Sequence, residues 1–263
     1  MYNPDSISVI CATYNRPKSL LHLLDQLNDQ RCVNLGEDVD VAVVDDGSNS
    51  DLTGIFPAYR FSFTYIYRPR DPHGLSRVYS SRNMAAKAVY GNYILQLDDD
   101  LEFHPYVLNL LQTAIRFYPD GHWVWGARIS NNTDVEKEPP FLFNRGVDGR
   151  WFDGQCKWQE THWESMSSAG MLMPRVTWDA IEGYDESLDG CMGAADQELA
   201  LRVQKLGKRP GSVKAWLAPW FVNIADEETG SWRMNMIDRR VRQERNEDLF
   251  ERKHPDRRDW TNV

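Results

Sequence analysis

The spacing of apolar positions changes period several times along the chain, and each change marks an element. Ile7–Thr13 (ISVICAT) is continuous and rich in β-branched residues, which predicts a strand buried on both faces. Pro17 then opens a helix at a favoured first position, with Leu20, Leu24 and Leu27 on one face. Val39–Val44 reads as a second strand running into the turn Asp45-Asp46-Gly47-Ser48, and Phe63–Tyr67 as a third. Leu75–Tyr90 has helical spacing and is stopped by Gly91. Asn92–Leu97 (NYILQL) is a fourth strand ending in Asp98-Asp99-Asp100, and Pro105–Tyr118 is again helical.

Alternating strands and helices predict an α/β fold, with a mainly parallel sheet flanked by helices. Such sheets bind ligands beyond the carboxyl ends of their strands. Three polar clusters fall there: Thr13–Arg16, Asp45–Ser48 and Asp98–Asp100. The first part of the chain, residues 1–130, carries this pattern. The second half changes character: Gly121–Trp163 is rich in Trp, Gly, Asn and Asp and reads as irregular, Ala169–Met173 is a short apolar run, and Asp196–Leu206 is a helix capped by Gly207. Residues 226–263 form a densely charged, helical extension.

Composition narrows the chemistry. The chain has 263 residues and is 41% hydrophobic, enough for one large domain. With 39 acidic against 30 basic residues the net charge is -9, so a nucleic acid held by general electrostatic attraction is not the expected partner. The same balance suits a protein that collects a divalent cation. Cys11, Cys32, Cys156 and Cys191 are spread without a CxxC pair and read as reduced thiols. The first strand begins at Ile7 and no apolar run approaches membrane-spanning length, so the expected location is cytoplasmic, with peripheral membrane attachment left open.

Asp98-x-Asp100 is the central chemical motif. Carboxylate oxygens are hard ligands that suit Mg²⁺ or Mn²⁺, with phosphate oxygens completing the shell. Taken alone, the triplet is more often a solvated acidic turn, and Asp45-Asp46 serves equally well as a turn device or as an acceptor for ribose and base. The combination carries more. ISVICATYNRP, then VVDDGS, then SSRNMAAKAVYGNYILQLDDD resemble glycosyltransferase family 2, in order and at ordinary spacing. Ala169–Met173 followed by Glu182-Gly183-Tyr184-Asp185-Glu186 is similar to the family's acceptor-side segment. Ala195-Asp196-Gln197-Glu198-Leu199 stands where the family usually has E-D-x-D-L, with Ala195 in place of the customary Glu. Asn246–His254 resembles a C-terminal segment common in the family.

The resemblance implies a GT-A, Rossmann-like fold and an inverting transfer of a sugar from a nucleotide diphosphate sugar, most often UDP-linked, to an acceptor hydroxyl. It implies a nucleotide-sugar-binding half (1–130), an acceptor and catalytic-base half (131–225) and the C-terminal helical extension (226–263). Residue by residue, Thr13, Asn15 and Arg16 line the nucleotide site, and Asp45 or Asp46 contacts base or ribose. Arg82 approaches the donor. Asp98 and Asp99 face its ribose or sugar, Asp100 together with Asp98 holds Mn²⁺ or Mg²⁺, and Asp196 is the general base. No confident counterpart exists for the late metal-binding His of many such enzymes. Asn223 is the nearest candidate and His254 a lesser one. The acceptor is a carbohydrate, a lipid-linked group or another hydroxyl compound, and the oligomeric state is undefined.

Trp151, Trp158 and Trp163 are equally suited to acceptor stacking and to loop packing, whereas Trp123 and Trp125 read as packing residues. His73, His104 and His122 read as surface or packing histidines, and Arg239, Arg240, Arg242 and Arg245 as a solvated helix face. Two rival readings are a metal-dependent D-x-D phosphatase or phosphotransferase, and a non-catalytic nucleotide-sugar or glycan-binding module on the same fold. A nicotinamide dehydrogenase is disfavoured, because the first strand lacks G-x-G-x-x-G.

Overall fold

The structure is a computed structural model that describes residues 3–50, 52–103, 105–119, 122–124, 129–130, 159–161, 170–190, 193–207, 215–217, 221–224 and 236–257. In chain order the elements are β1 (Ile7–Thr13), α1 (Pro17–Asn28), α2 (Leu35–Asp38), β2 (Val39–Asp45), β3 (Ser62–Tyr67), α3 (Val78–Lys87), β4 (Tyr93–Leu97), β5 (Leu101–Phe103), α4 (Val107–Phe117), β6 (His122–Val124), β7 (Ile129–Ser130), β8 (Gln159–Thr161), β9 (Gly170–Pro174), α5 (Arg175–Ala180), α6 (Ala195–Leu206), β10 (Ala215–Leu217), β11 (Phe221–Ile224) and α7 (Met236–Lys253).

Eight strands form a mixed sheet in the order β3-β2-β1-β4-β9-β6-β10-β8. The first four are mutually parallel, and β9 runs antiparallel to both β4 and β6. A second sheet, β5-β11-β7, stands where the chain leaves β4.

The continuous hydrophobicity of β1, β2 and β4 follows from burial on both faces. Ile7, Val9, Cys11, Val41, Val43, Leu95 and Leu97 pack on one side with Leu20, Leu23, Leu24 and Leu27 of α1 and with Leu108, Leu111 and Ile115 of α4. Ile10, Ala42, Val44 and Ile94 pack on the other with α3, α5, α6 and Phe250 of α7. Each buried leucine contributes roughly 1.5–3 kcal/mol, so the α1 stripe fixes that helix against the sheet far more strongly than its ends do. This places α1 and α4 on one face and α3 and α6 on the other. Among the described residues, no helix is long and apolar enough to cross a membrane.

The element boundaries correct the sequence reading at several points. α3 begins at Val78 and ends at Lys87, so the expected helical span Leu75–Tyr90 is three residues too long at each end. Arg77, the residue before the helix, is pulled out of it by an ion pair to Asp46. Gly91 does not stop the helix; Ala88 is its C-cap. A Cβ on Gly91 would lie 2.8 Å from the Ser8 backbone nitrogen and 2.7 Å from its hydroxyl, so Gly91 exists to let the chain pass close to β1. α4 is likewise shorter than Pro105–Tyr118. In the charged extension the helix is described from Met236, and Arg245 is not a free solvated charge: its guanidinium donates to the carbonyls of Ser187 and Asp189.

Gly91→Ala is expected to cost on the order of 2 kcal/mol, because backbone atoms of β1 cannot move aside. Gly54→Ala has open space at its Cβ and only a left-handed φ to accommodate, so it is expected to cost about 1 kcal/mol. Urea denaturation of the two variants measures the difference, and equal midpoints would remove the close-approach explanation.

Candidate functional site

The carboxyl ends of β1, β2 and β4 lie side by side, as register dictates: Thr13 pairs with Asp45, and Cys11 with Leu97. Their polar tips therefore meet at one edge of the sheet. Asp99 is the inward acid, 5% exposed, and accepts from the Thr13 hydroxyl at 2.7 Å and from Arg16 Nη1 at 2.8 Å. The same Arg16 nitrogen reaches Asp100 Oδ2 at 3.0 Å. Arg16 can do this because it sits at the N-cap of α1, held there by Pro17. Asp98 faces the other way and pairs with Arg82 Nη2 at 2.5 Å.

Arg82 is itself buried. Tyr184 lies under its guanidinium, 5.5 Å from ring centroid to Cζ, and stacks on Tyr79. The Tyr184 hydroxyl donates to Gln96 Oε1 at 2.5 Å, and its backbone N–H and carbonyl are both bound by the Asn83 amide at 2.8 Å. Asp196, in the first turn of α6, lies close enough to influence Arg82, Asp98 and Tyr184 electrostatically. Arg82 is therefore the shared counter-charge of two acids from distant parts of the chain.

The charge balance is unequal: Asp98, Asp99, Asp100 and Asp196 face two arginines, which leaves a net negative site. Burial pushes Asp98 and Asp99 up to about 6, with further repulsion among the acids that Arg82 and Arg16 do not offset. Asp100 is pushed up to about 6 by burial and by Asp98. Its Oδ1 is buried and has no hydrogen-bond partner among the described residues.

At the end of β2 the acids are spent within the protein. Asp45 is fully buried and accepts from the Ser48 N–H and from the Tyr65 hydroxyl, each at 2.8 Å. Asp46 accepts from Arg77 Nε at 2.8 Å, from the Arg77 N–H at 2.7 Å and from Arg70 at 3.0 Å. Arg70 also lies 4.1 Å from the centroid of the Tyr14 ring. Asn15 adopts a left-handed φ of 53° and exchanges bonds with the neighbouring turn: its N–H donates to Ser48 Oγ, and its Oδ1 accepts from the Asn49 N–H. Here Asp45 and Asp46 shape the rim and present no open carboxylate to a ligand.

Of the residues singled out from sequence, Thr13, Arg16, Arg82, Asp98, Asp99, Asp100 and Asp196 are thus brought together. Asn15, Asp45 and Asp46 form the adjoining rim. Asn223 lies opposite Leu101 in the β5–β11 pairing, one residue beyond Asp100. Both ring nitrogens of His254 are engaged elsewhere, by Glu198 and Lys205, so it offers no lone pair to a metal in this arrangement. Trp125, Trp151, Trp158, Trp163 and His104 lie outside the described residues. Sequence reasoning missed Asn83, Gln96 and Tyr184 as supports of Arg82, although Asn83 follows it directly and Tyr184 stands within the Gly-Tyr-Asp-Glu motif.

The family model described as "Glycosyl transferase family 2" matches residues 8–170, well over half of the chain. The chain belongs to glycosyltransferase family 2. No curated protein sequence matches it. Among solved structures, this family member is similar to S. aureus TarS, with a TM-score of 0.61 and 18% identity over 86% of this chain and 38% of that one. It is also similar to S. aureus TarS 1-349 in complex with UDP-GlcNAc, with a TM-score of 0.61 and 16% identity over 84% of this chain and 59% of that one. For TarS 1-349 in complex with UDP the TM-score is 0.58 and the identity 18%, over 86% and 62% of the two chains. The chain therefore spans well under half of full-length TarS, and the shared feature is the fold.

A raised carboxylate pKa has a definite sign. Asp99, near 3.8 when unfolded and about 6 when folded, is neutral in both states below pH 4 and disfavours the folded state as it ionises. In metal-free buffer, the stability of the native chain relative to Asp99→Asn is expected to fall by on the order of 2–3 kcal/mol between about pH 4 and pH 6. Chemical denaturation across that range measures it, and a gain for the native chain over the variant as pH rises would contradict the charge balance described.

Proposed function

We propose that this family member transfers a sugar from a nucleotide diphosphate sugar to an acceptor hydroxyl, with inversion at the anomeric carbon and with Asp196 as the general base. The observation that carries the reading is that Asp98, at the end of β4, pairs with the buried Arg82, and that Asp196, at the start of α6, lies within electrostatic range of that pair. A donor-side acid and a separate carboxylate thus flank one crevice. The TarS 1-349 complexes with UDP-GlcNAc and UDP support UDP as the nucleotide, on the same fold.

The acidic tip of β4 fits a divalent cation, Mn²⁺ or Mg²⁺. Asp100 supplies a buried oxygen without a hydrogen-bond partner, and Asp98 a second, partly exposed carboxylate. Among the described residues no group of three acids, histidines or cysteines forms a closed metal cage. Beside phosphates, Mg²⁺ takes one or two carboxylates and completes its shell with waters and substrate oxygens. Asn223, opposite Leu101 in the β5–β11 register, is the further ligand of this reading. When bound, the cation supplies Lewis-acid stabilisation of the diphosphate leaving group.

The residues of the chain do the rest. Arg16 and Thr13 hold Asp99 inward, Arg16 also holds Asp100 Oδ2, and Asp98 is the most exposed of the three acids. Arg82 keeps Asp98 ionised beside Asp196. The acceptor oxygen forms a bond to the anomeric carbon as the bond to the diphosphate oxygen breaks, and the hydroxyl proton passes to the Asp196 carboxylate. A single displacement from the opposite face inverts the configuration, and a lone base without a carboxylate nucleophile matches that outcome by analogy with inverting hydrolases. The acceptor is a carbohydrate, a lipid-linked group or another hydroxyl compound. The phosphatase reading would use an acid of the β4 tip as nucleophile and gives Asp196 no role.

Asp196→Asn is expected to lower kcat by about 10²-fold or more while UDP still raises the melting temperature in the presence of Mn²⁺. Asp100→Asn is expected to abolish the Mn²⁺-dependent part of that rise. Initial-rate assays with UDP-sugars and thermal denaturation read both. Native turnover in Asp196→Asn sinks the base assignment, and a full manganese effect in Asp100→Asn sinks the metal site. Binding of UDP-sugar with neither hydrolysis nor transfer on a broad acceptor panel would make the chain a binding module instead.

A further inference from the structure

The first turn of α6 has little to fix it locally. Its N-cap is Ala194, in a left-handed conformation with φ 59° and no side chain able to cap, preceded by Gly193 with φ 110°. The turn is held instead from the other side, through Glu198. This carboxylate is 2% exposed and accepts from Arg202 Nε and Nη2, both at 2.7 Å. His254, in the segment after α7, places Nε2 3.1 Å from Glu198 Oε1. On its far side, His254 Nδ1 lies 3.2 Å from Lys205 Nζ, and Lys205 is held by Asp256 at 2.7 Å.

These contacts define the histidine. An ammonium has no lone pair, so Nδ1 must accept from Lys205; a carboxylate has no proton, so Nε2–H must donate to Glu198. His254 is thus held between two side chains of α6, Glu198 and Lys205. Arg202, oriented by Glu198, also donates to the Ile181 carbonyl, which leads into the segment bearing Tyr184 beneath Arg82. The network thus reaches Glu198, two residues after Asp196, and the Ile181 carbonyl, three residues before the Tyr184 that lies beneath Arg82.

We infer that His254 is a positioning residue for the general base: through Glu198 it fixes the first turn of α6 and so aims the Asp196 carboxylate into the crevice. This rests on the reading of Asp196 as the base. It also gives a use to the Asn246–His254 segment, whose Asn246 and Lys253 bind the Leu188 carbonyl and the Asp185 carboxylate.

The test compares His254→Leu, His254→Gln and His254→Asn in the native and Asp196→Asn backgrounds, with UDP-sugar turnover, donor KM and UDP–Mn²⁺ thermal shift as readouts. His254→Leu is expected to lower kcat about tenfold, with donor KM and the thermal shift within twofold of native, as for a misaimed group. The Gln amide reaches the Nε2 position and is expected to restore most of kcat, whereas the shorter Asn is not. In the Asp196→Asn background, His254→Leu is expected to add no further loss, because a residue acting through Asp196 has nothing left to aim. Native kcat in His254→Leu, a further tenfold loss in the double variant, or equal kcat for Gln and Asn would each overturn the inference. If His254→Leu does not fold, the Gln and Asn pair decides, together with the ring ¹⁵N spectrum of native His254, where a proton on Nδ1 would also overturn it. Native turnover in Asp196→Asn alone would instead remove the base reading on which the inference rests.

Discussion

Everything at the candidate site depends on how buried carboxylates at the tip of β4 are kept charged. Three consecutive acids cannot leave water without counter-charges, and here they have two. Arg16 comes from the start of α1 and Arg82 from the middle of α3. The cost of burying Asp99 alone is on the order of 3 kcal/mol at neutral pH, given a carboxyl pushed up to about 6. The apolar stripes of α1, α4 and α3 against the sheet must carry that cost, and their many fully buried leucines, isoleucines and valines are sufficient in kind and number. The residual negative charge is therefore stored in the fold. In the proposed reading, that charge is what a divalent cation bound with a diphosphate would offset.

The arginines also explain why the acids after β2 behave differently from those after β4. Asp45 and Asp46 are as deeply buried as Asp99, and each of their oxygens meets a donor as those of Asp99 do; the difference lies in the charge around them. Arg70 and Arg77 more than balance Asp46, and Arg70 lies across the Tyr14 ring. One motif thus yields a closed, neutralised rim and the other an open, unbalanced tip. For nucleotide recognition, this rim presents backbone, arginine and aromatic surface in place of free carboxylate.

Much of this was legible in the sequence, for a physical reason. Strands buried on both faces must be continuously apolar, so β1, β2 and β4 stood out, and the acids at their ends were placed by topology alone. Helix limits were less legible. Arg77 looks like a helix residue but is held outside by Asp46, a partner 31 positions away, and Gly91 looks like a helix stop but serves β1. No local signal shows that Asp99 is bound by Thr13 and Arg16, 86 and 83 positions away, or that the same Arg16 also reaches Asp100. His254 resembled a spare metal ligand because nothing local revealed that Glu198 and Lys205 hold both of its nitrogens. Each error has the same origin: the deciding partner is distant in sequence.

A side-chain clasp helps to join the two halves of the site. The Asn83 side chain imitates a neighbouring strand, giving and taking one hydrogen bond each with the Tyr184 backbone across 101 residues. Gly183 must be glycine for this approach, since its φ is 67° and a Cβ would lie 2.4 Å from Asn83 Oδ1. The clasp seats Tyr184 between Arg82 and Gln96, and so ties the segment before α6 to the helix that neutralises Asp98. A shift of α6 would thus disturb Arg82 as well as Asp196. Asp98, Arg82, Tyr184 and Asp196 are consequently one electrostatic unit, and packing around Tyr184 ties the segments that carry them.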